Sequence, residues 1–122
     1  MSPNAVRGFQ AAIDNIHEIR VGWGESSRWI VGVGASYGAY VEFGTSRMQA
    51  QPYLFPAARF VMRTQFPVIV QQARSADDLV AKLALAIERE AKQRAPVETG
   101  NLRGSIKAYD KKEGREPWVD HQ

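Results

Sequence analysis

Few residues in this 122-residue chain have the type and spacing that chemistry requires. There are two histidines, His17 and His121, and no cysteine. The absence of cysteine removes disulfides, thiolate metal sites and thiol nucleophiles together. His17 sits at the start of a strand-like run and His121 is penultimate. Neither has carboxylates at metal-ligand spacing, so both read as surface residues. Ser105 has no histidine near it in sequence and lacks the strand–GxSxG–helix setting of a nucleophile elbow. The "GVGAS" run, 32–36, lacks the lysine and spacing of a phosphate cradle. Asp77 and Asp78 lie where a helix should begin, which explains them better than an acid/base pair does. These residues indicate neither an enzyme nor a cofactor site.

One acid stands out. Glu42 is set in the run "YVEF", between Val41 and Phe43. A buried carboxylate is costly unless it is paired and hydrogen-bonded. Two readings are open: Glu42 points to solvent, or it meets an arginine such as Arg103, within the subunit or across an interface.

The elements that must position these residues follow from periodicity. Val6, Phe9, Ala12, Ile13 and Ile16 recur at helical spacing and predict a helix over 4–16. Ile19, Val21 and Trp23 alternate with Arg20 and Gly22, as in a half-buried strand. "GESS" is turn chemistry, and "RWIVGVG" reads as the second strand of a hairpin. Gly32 and Gly34 predict a bend or a close backbone approach. Tyr37–Phe43 suits a strand or one to two helical turns; a short helix or turn ending at Gly44 is the reading preferred. Gln51-Pro52 should be extended, with a helix from about Tyr53 that buries Leu54, Ala57, Ala58, Val61 and Met62. Pro67 should kink or end it.

The clearest helix spans 75–95. Ser75 is its N-cap, with Asp78 three residues on. Leu79, Val80, Leu83, Ala84, Ile87 and Ala91 form its apolar stripe. Lys92 and Arg94 occupy the last turn and Pro96 follows the end. Glu88 and Lys92 form an i,i+4 pair. Leu102 and Ile106 make one amphipathic turn, and Ile106–Tyr109 reads as a strand. The fold class is therefore α+β, a small and mostly antiparallel sheet packed on two or three helices. Residues 1–109 form one domain and 110–122 a charged tail. That tail frays, or Trp118 and Val119 anchor it, on a neighbouring subunit for example.

Bulk properties narrow the classes further. Apolar residues make up 44%, which argues against wholesale disorder. No apolar run reaches 18 residues, and "MSPNAVRGF" lacks a signal-peptide pattern. The 16 Lys+Arg and 13 Asp+Glu leave a net charge of +3. This mixed surface differs from the one-sided basic face of a phosphate-contacting protein. The pI near 9.4 still keeps a small DNA-binding protein as the alternative of another class.

Two segments carry a family resemblance. "YVEFGTSRMQAQPYLFPA", 40–57, resembles the hallmark of tail-component proteins of long-tailed, lambda-like phages: the tail-completion and head–tail joining proteins. The matching residues are Tyr40, Val41, Glu42, Phe43, Gly44, Thr45, Ala50, Gln51, Pro52, Tyr53, Pro56 and Ala57. "AKQRAPVETGNLRGSI", 91–106, is similar to the same family's second hallmark, through Pro96, Thr99, Gly100, Leu102, Arg103, Ser105 and Ile106. With the helices between them, the two segments cover just over half of the chain. Here they stand in the reverse of the family order. A circular permutation would explain that, as would a connection supplied by a neighbouring subunit or a related but distinct neck protein.

The resemblance implies a virion structural protein, made in the host cytoplasm and placed at the head–tail junction. It implies a homo-oligomeric ring, usually hexameric, that closes the tail tube. Its partners would be the tail tube or terminator protein and the head connector or stopper, with DNA passing non-specifically through the lumen and no membrane involved. A tail terminator or a head-side stopper is the neighbouring reading. The residues expected at subunit interfaces or in structural loops are Tyr40, Glu42, Phe43, Gly44, Thr45, Gln51, Pro52, Tyr53, Pro96, Thr99, Gly100, Leu102 and Arg103. Arg103 is the residue expected to clasp a carboxylate, because its planar fork can do so bidentately.

Overall fold

The computed structural model describes residues 6–7, 17–23, 27–96 and 100–111. Alternating apolar residues build a four-stranded antiparallel sheet in the order β1-β2-β3-β4. Its strands are β1 (Val6–Arg7), β2 (Glu18–Trp23), β3 (Ser27–Val33) and β4 (Ile106–Asp110). Ile19 opposes Val31 and Val21 opposes Trp29, so one face of the hairpin is apolar. β4 continues that face by pairing Ala108 with Val31 and Ile106 with Val33. The expected α+β class and the β2–β3 hairpin are present.

Two sequence expectations change here. Val6–Arg7 pairs with Val21 and Arg20 as a strand, where a helix over 4–16 was expected. Helical spacing of apolar residues does not exclude extended backbone when a strand edge offers hydrogen bonds. Residues 8–16 lie outside the described residues. Gly32 shows no interruption of the ladder: it pairs with Glu18 on one side and Lys107 on the other.

Between β3 and β4 run the helices: α1 (Gly38–Phe43), α2 (Leu54–Phe60), α3 (Phe66–Gln72), α4 (Ala76–Arg94) and α5 (Gly100–Gly104). A π turn over Val61–Gln65 joins α2 to α3. Pro67 therefore does not end the helix. The wider turn, in which the Phe66 N–H donates to Val61 O, comes just before the proline.

α4 forms as its sequence dictates. Ser75 caps it by accepting from the Asp78 N–H at 3.0 Å. The Asp78 carboxylate accepts from the Arg74 N–H at 2.9 Å and from Lys82 at 2.7 Å. Its stripe packs on the sheet and on α2, with Val80, Leu83, Ala84, Ile87 and Ala91 all at 0% exposure. Each large apolar side chain buried this way contributes about 1.5–3 kcal/mol. Lys92 pairs with Glu88 at 3.1 Å. The other oxygen of Glu88 accepts from the Ala108 N–H of β4 at 2.7 Å, which ties helix to sheet edge.

The chain leaves the sheet for its helices and returns to it at one end. β3 leaves there at Val33 and β4 begins there at Ile106. The Gly34 N–H donates to Ser105 O at 2.9 Å, joining the two ends directly. His17, immediately before β2, lies at the same end, since Glu18 pairs with Gly32. Among the described residues no helix is long and apolar enough to cross a membrane.

Candidate functional site

α2 begins without a polar N-cap. The cap position is Tyr53, which offers no side-chain hydrogen bond, so the first N–H groups of the helix need an outside acceptor. Glu42 supplies it. Oε1 accepts from the Tyr53 N–H at 3.2 Å and the Leu54 N–H at 2.9 Å, and Oε2 accepts from the Phe55 N–H at 3.2 Å. A fourth contact comes from His17 Nε2, 3.3 Å from Oε1. Glu42 is only 3% exposed. Burial by itself would raise its pKa. The hydrogen bond from His17 and those from the three backbone N–H groups outweigh it and hold the carboxyl below the ordinary carboxylate range.

The solvent-facing reading of Glu42 is therefore corrected, and within the subunit it does not meet Arg103. A helix terminus with no cap of its own is a stronger claim on a nearby carboxylate than a distant arginine, because it presents several fixed donors at once.

His17 is likewise not a surface residue. Its side chain is 7% exposed and its ring packs edge-on to Phe43, Tyr53 and Phe55, at centroid distances of 5.8, 5.4 and 5.9 Å. A carboxylate can only accept, so the His17 Nε2 contact requires a proton on that nitrogen. On its other side, Nδ1 lies 3.2 Å from the Tyr53 hydroxyl, which also donates to Gly38 O at 3.0 Å. Burial, then the charge of Glu42, pushes the Tyr53 phenol far above its ordinary pKa, so it stays protonated.

Gly38 makes this arrangement fit. A Cβ there would lie 2.6 Å from Val33 Cγ1 and 2.9 Å from the Tyr53 hydroxyl oxygen. Gly44 closes α1 at φ 79° and ψ 173°, a region open essentially to glycine alone. The Thr45 hydroxyl then accepts from the Arg47 and Met48 N–H groups at 3.1 and 3.0 Å. The Gln51 N–H returns to Val41 O at 2.8 Å, so the loop folds back onto α1. Gln51 and Pro52 are exposed, and Pro52 leads into the helix as expected.

The expected interface residues thus divide. Tyr40 is 60% exposed and Phe43 49% exposed, on either side of the buried Val41 and Glu42. Tyr53 and Leu102 are core residues at 0%. Pro96 is half-buried and Gly100 opens α5, while Thr99 lies outside the described residues. Arg103 makes no ion pair among the described residues. Its Nη2 donates to Ala95 O at 3.4 Å, at the end of α4, and its buried Nε has no partner among them.

His17 is the residue that sequence reasoning missed. The signal available was the pair of facts it reconciles, an acid inside an aromatic run and a helix start with no polar cap. Three of the four contacts to Glu42 converge on Oε1 and one reaches Oε2, so most of its accepting capacity is spent on the start of α2 and on His17. Among the described residues no group of three or more histidine, aspartate and glutamate side chains could hold a metal ion. Comparison of the chain with protein-family models, with curated proteins and with solved structures finds no match.

Proposed function

We propose that the chain is a virion structural protein that forms a ring at the head–tail junction of a long-tailed phage, closing the tail tube and joining it to the head connector. What supports this reading is the resemblance of 40–57 and 91–106 to the tail-component hallmarks, together with one structural observation. Tyr40 and Phe43 present exposed aromatic surface from a helix whose opposite side is clamped by Glu42. Rigid, exposed aromatics are the side chains that dominate protein–protein contacts, because they bring large area at low entropic cost. A buried carboxylate spent on backbone N–H groups and on His17 suits a structural role for this helix.

A ring needs a heterologous interface that closes by rotation. Tail completion is the position assigned; a terminator or stopper would share the ring and differ in the neighbour bound. The test is assembly. The purified protein, followed by native mass spectrometry and negative-stain microscopy, is expected to form closed rings or to join tails from infected cells. A monomer at every concentration, absent from particles, overturns the proposal. A chain of basic pI could instead bind DNA on its own. That reading requires affinity of the isolated monomer that falls steeply with salt.

A further inference from the structure

The large apolar side chains left exposed among the described residues fall into two patches of different shape. Tyr40, Phe43 and Met48 form the first, on α1 and the loop that follows it. Val68, Val70 and Leu85 form the second, on α3 and α4. The first is a knob of aromatic rings. The second borders a hollow: α3 and α4 flank an open groove of about 460 Å³, lined by Val68, Ile69, Leu85, Ala86 and Arg89 among others. No residue of α3 is fully buried, so its apolar side chains are only partly covered by this subunit.

Knob and groove cannot cover each other within one subunit. Phe43 packs on Phe55 near the start of α2, at a centroid distance of 5.6 Å. Val68 lies thirteen residues further along the α2–α3 path, roughly 20 Å away at the helical rise. Resting on the assembly proposed above, we infer that copies of this chain join head to tail, with Tyr40 and Phe43 of one copy seated in the α3–α4 groove of the next.

Symmetry favours this pairing. A two-fold contact sets a patch against itself and leaves the other patch in water, whereas a head-to-tail contact uses both patches of every subunit once a ring closes. Charge orients it. Arg89 has no ion pair among the described residues, and the knob offers it the face of an aromatic ring, which attracts a cation. The cation beside the knob is Arg47, on the loop after α1. Its counterpart lies at the other end of the groove, where α4 begins with Asp77 and Asp78, roughly 16 Å from Arg89 along the helix. Lys82, between them, is already paired with Asp78. With Tyr40 toward Arg89 and Arg47 toward Asp77, no like charges are forced together.

Complementation between two full-length variants tests the contact. Tyr40→Lys spoils the knob and keeps the groove, and Leu85→Lys spoils the groove and keeps the knob. Each alone is expected to lose self-association in native mass spectrometry, with circular dichroism checking its fold. Their mixture should form one-to-one dimers and nothing larger, because only one intact knob and one intact groove are present. Val68→Lys should behave as Leu85→Lys does, and Arg89→Glu should restore self-association to Tyr40→Lys by opposing the new cation. Folded variants that assemble as the parent does, or that stay monomeric when mixed, overturn the inference. If the parent still forms rings in that case, the ring stands and its contact lies elsewhere. A parent that is monomeric at every concentration overturns both.

Discussion

Glu42 lies beneath the first turn of α2 and accepts the Leu54 N–H at 2.9 Å, twelve residues along the chain. One side chain therefore fixes the start of a helix, the end of another and the loop between them. Replacing it with glutamine keeps the shape but removes the charge and turns one acceptor into a donor facing N–H groups. Glu42→Gln is expected to cost about 1–3 kcal/mol, the penalty for leaving a buried donor unsatisfied. Urea unfolding of the variant against the parent measures it.

The same carboxylate makes stability depend on pH. Its folded-state pKa lies below the ordinary 4.5. As pH falls, the unfolded chain takes up the proton first, so acid favours unfolding. The contribution of Glu42 is fully present above the unfolded-state pKa and is lost as pH drops through 4.5 toward the folded-state value. A urea midpoint that declines over this acid range, and declines less in Glu42→Gln, is the expected outcome.

His17 should carry a proton on Nε2, because its partner there can only accept. The nitrogen chemical shifts of the ring distinguish this from a proton on Nδ1 alone. A ring protonated only on Nδ1 would contradict the network.

Two glycines should respond in opposite ways. At Gly44, φ is 79° and a Cβ would meet Ala50 N at 2.8 Å. Gly44→Ala should therefore cost about 1–3 kcal/mol. At Gly104, in the last position of α5, a Cβ meets nothing within 4 Å. Gly104→Ala should be neutral or stabilise by about 0.4–1 kcal/mol. Thermal denaturation of both variants provides the comparison.

Tyr40 should separate folding from assembly. Tyr40→Ser is expected to weaken self-association while the thermal midpoint stays close to that of the parent, since exposed sites usually shift stability by less than about 0.5 kcal/mol, whereas Phe43→Ser should also lower the midpoint, because its ring packs on His17 and Phe55. Sedimentation velocity and calorimetry on one preparation read the two effects separately.

Much of the scaffold could be read from local patterns. The stripe of α4, its Ser75 cap, the β2–β3 alternation and the Leu102–Ile106 turn each express a preference that tertiary packing then reinforces. The helix before Gly44 was legible for a similar reason, because a glycine stop follows a short periodic run. Pro67 falls at the start of α3, where a missing N–H is tolerated, and the π turn before it was not visible in the sequence. The cluster around Glu42 was only half visible. An acid among aromatics signalled an unusual site, but its partners come from residue 17 and from backbone N–H groups at 53–55. Neither periodicity nor motif spacing encodes a contact of that kind.

The Glu88–Ala108 hydrogen bond also bears on how copies can meet. β4 lies at the border of the sheet, where an open row of backbone donors would invite a foreign strand to continue it. Glu88 fills the Ala108 position of that row with a side chain from the protein's own helix. Strand addition at that point must first break a charged contact, which disfavours fibre-like growth at β4.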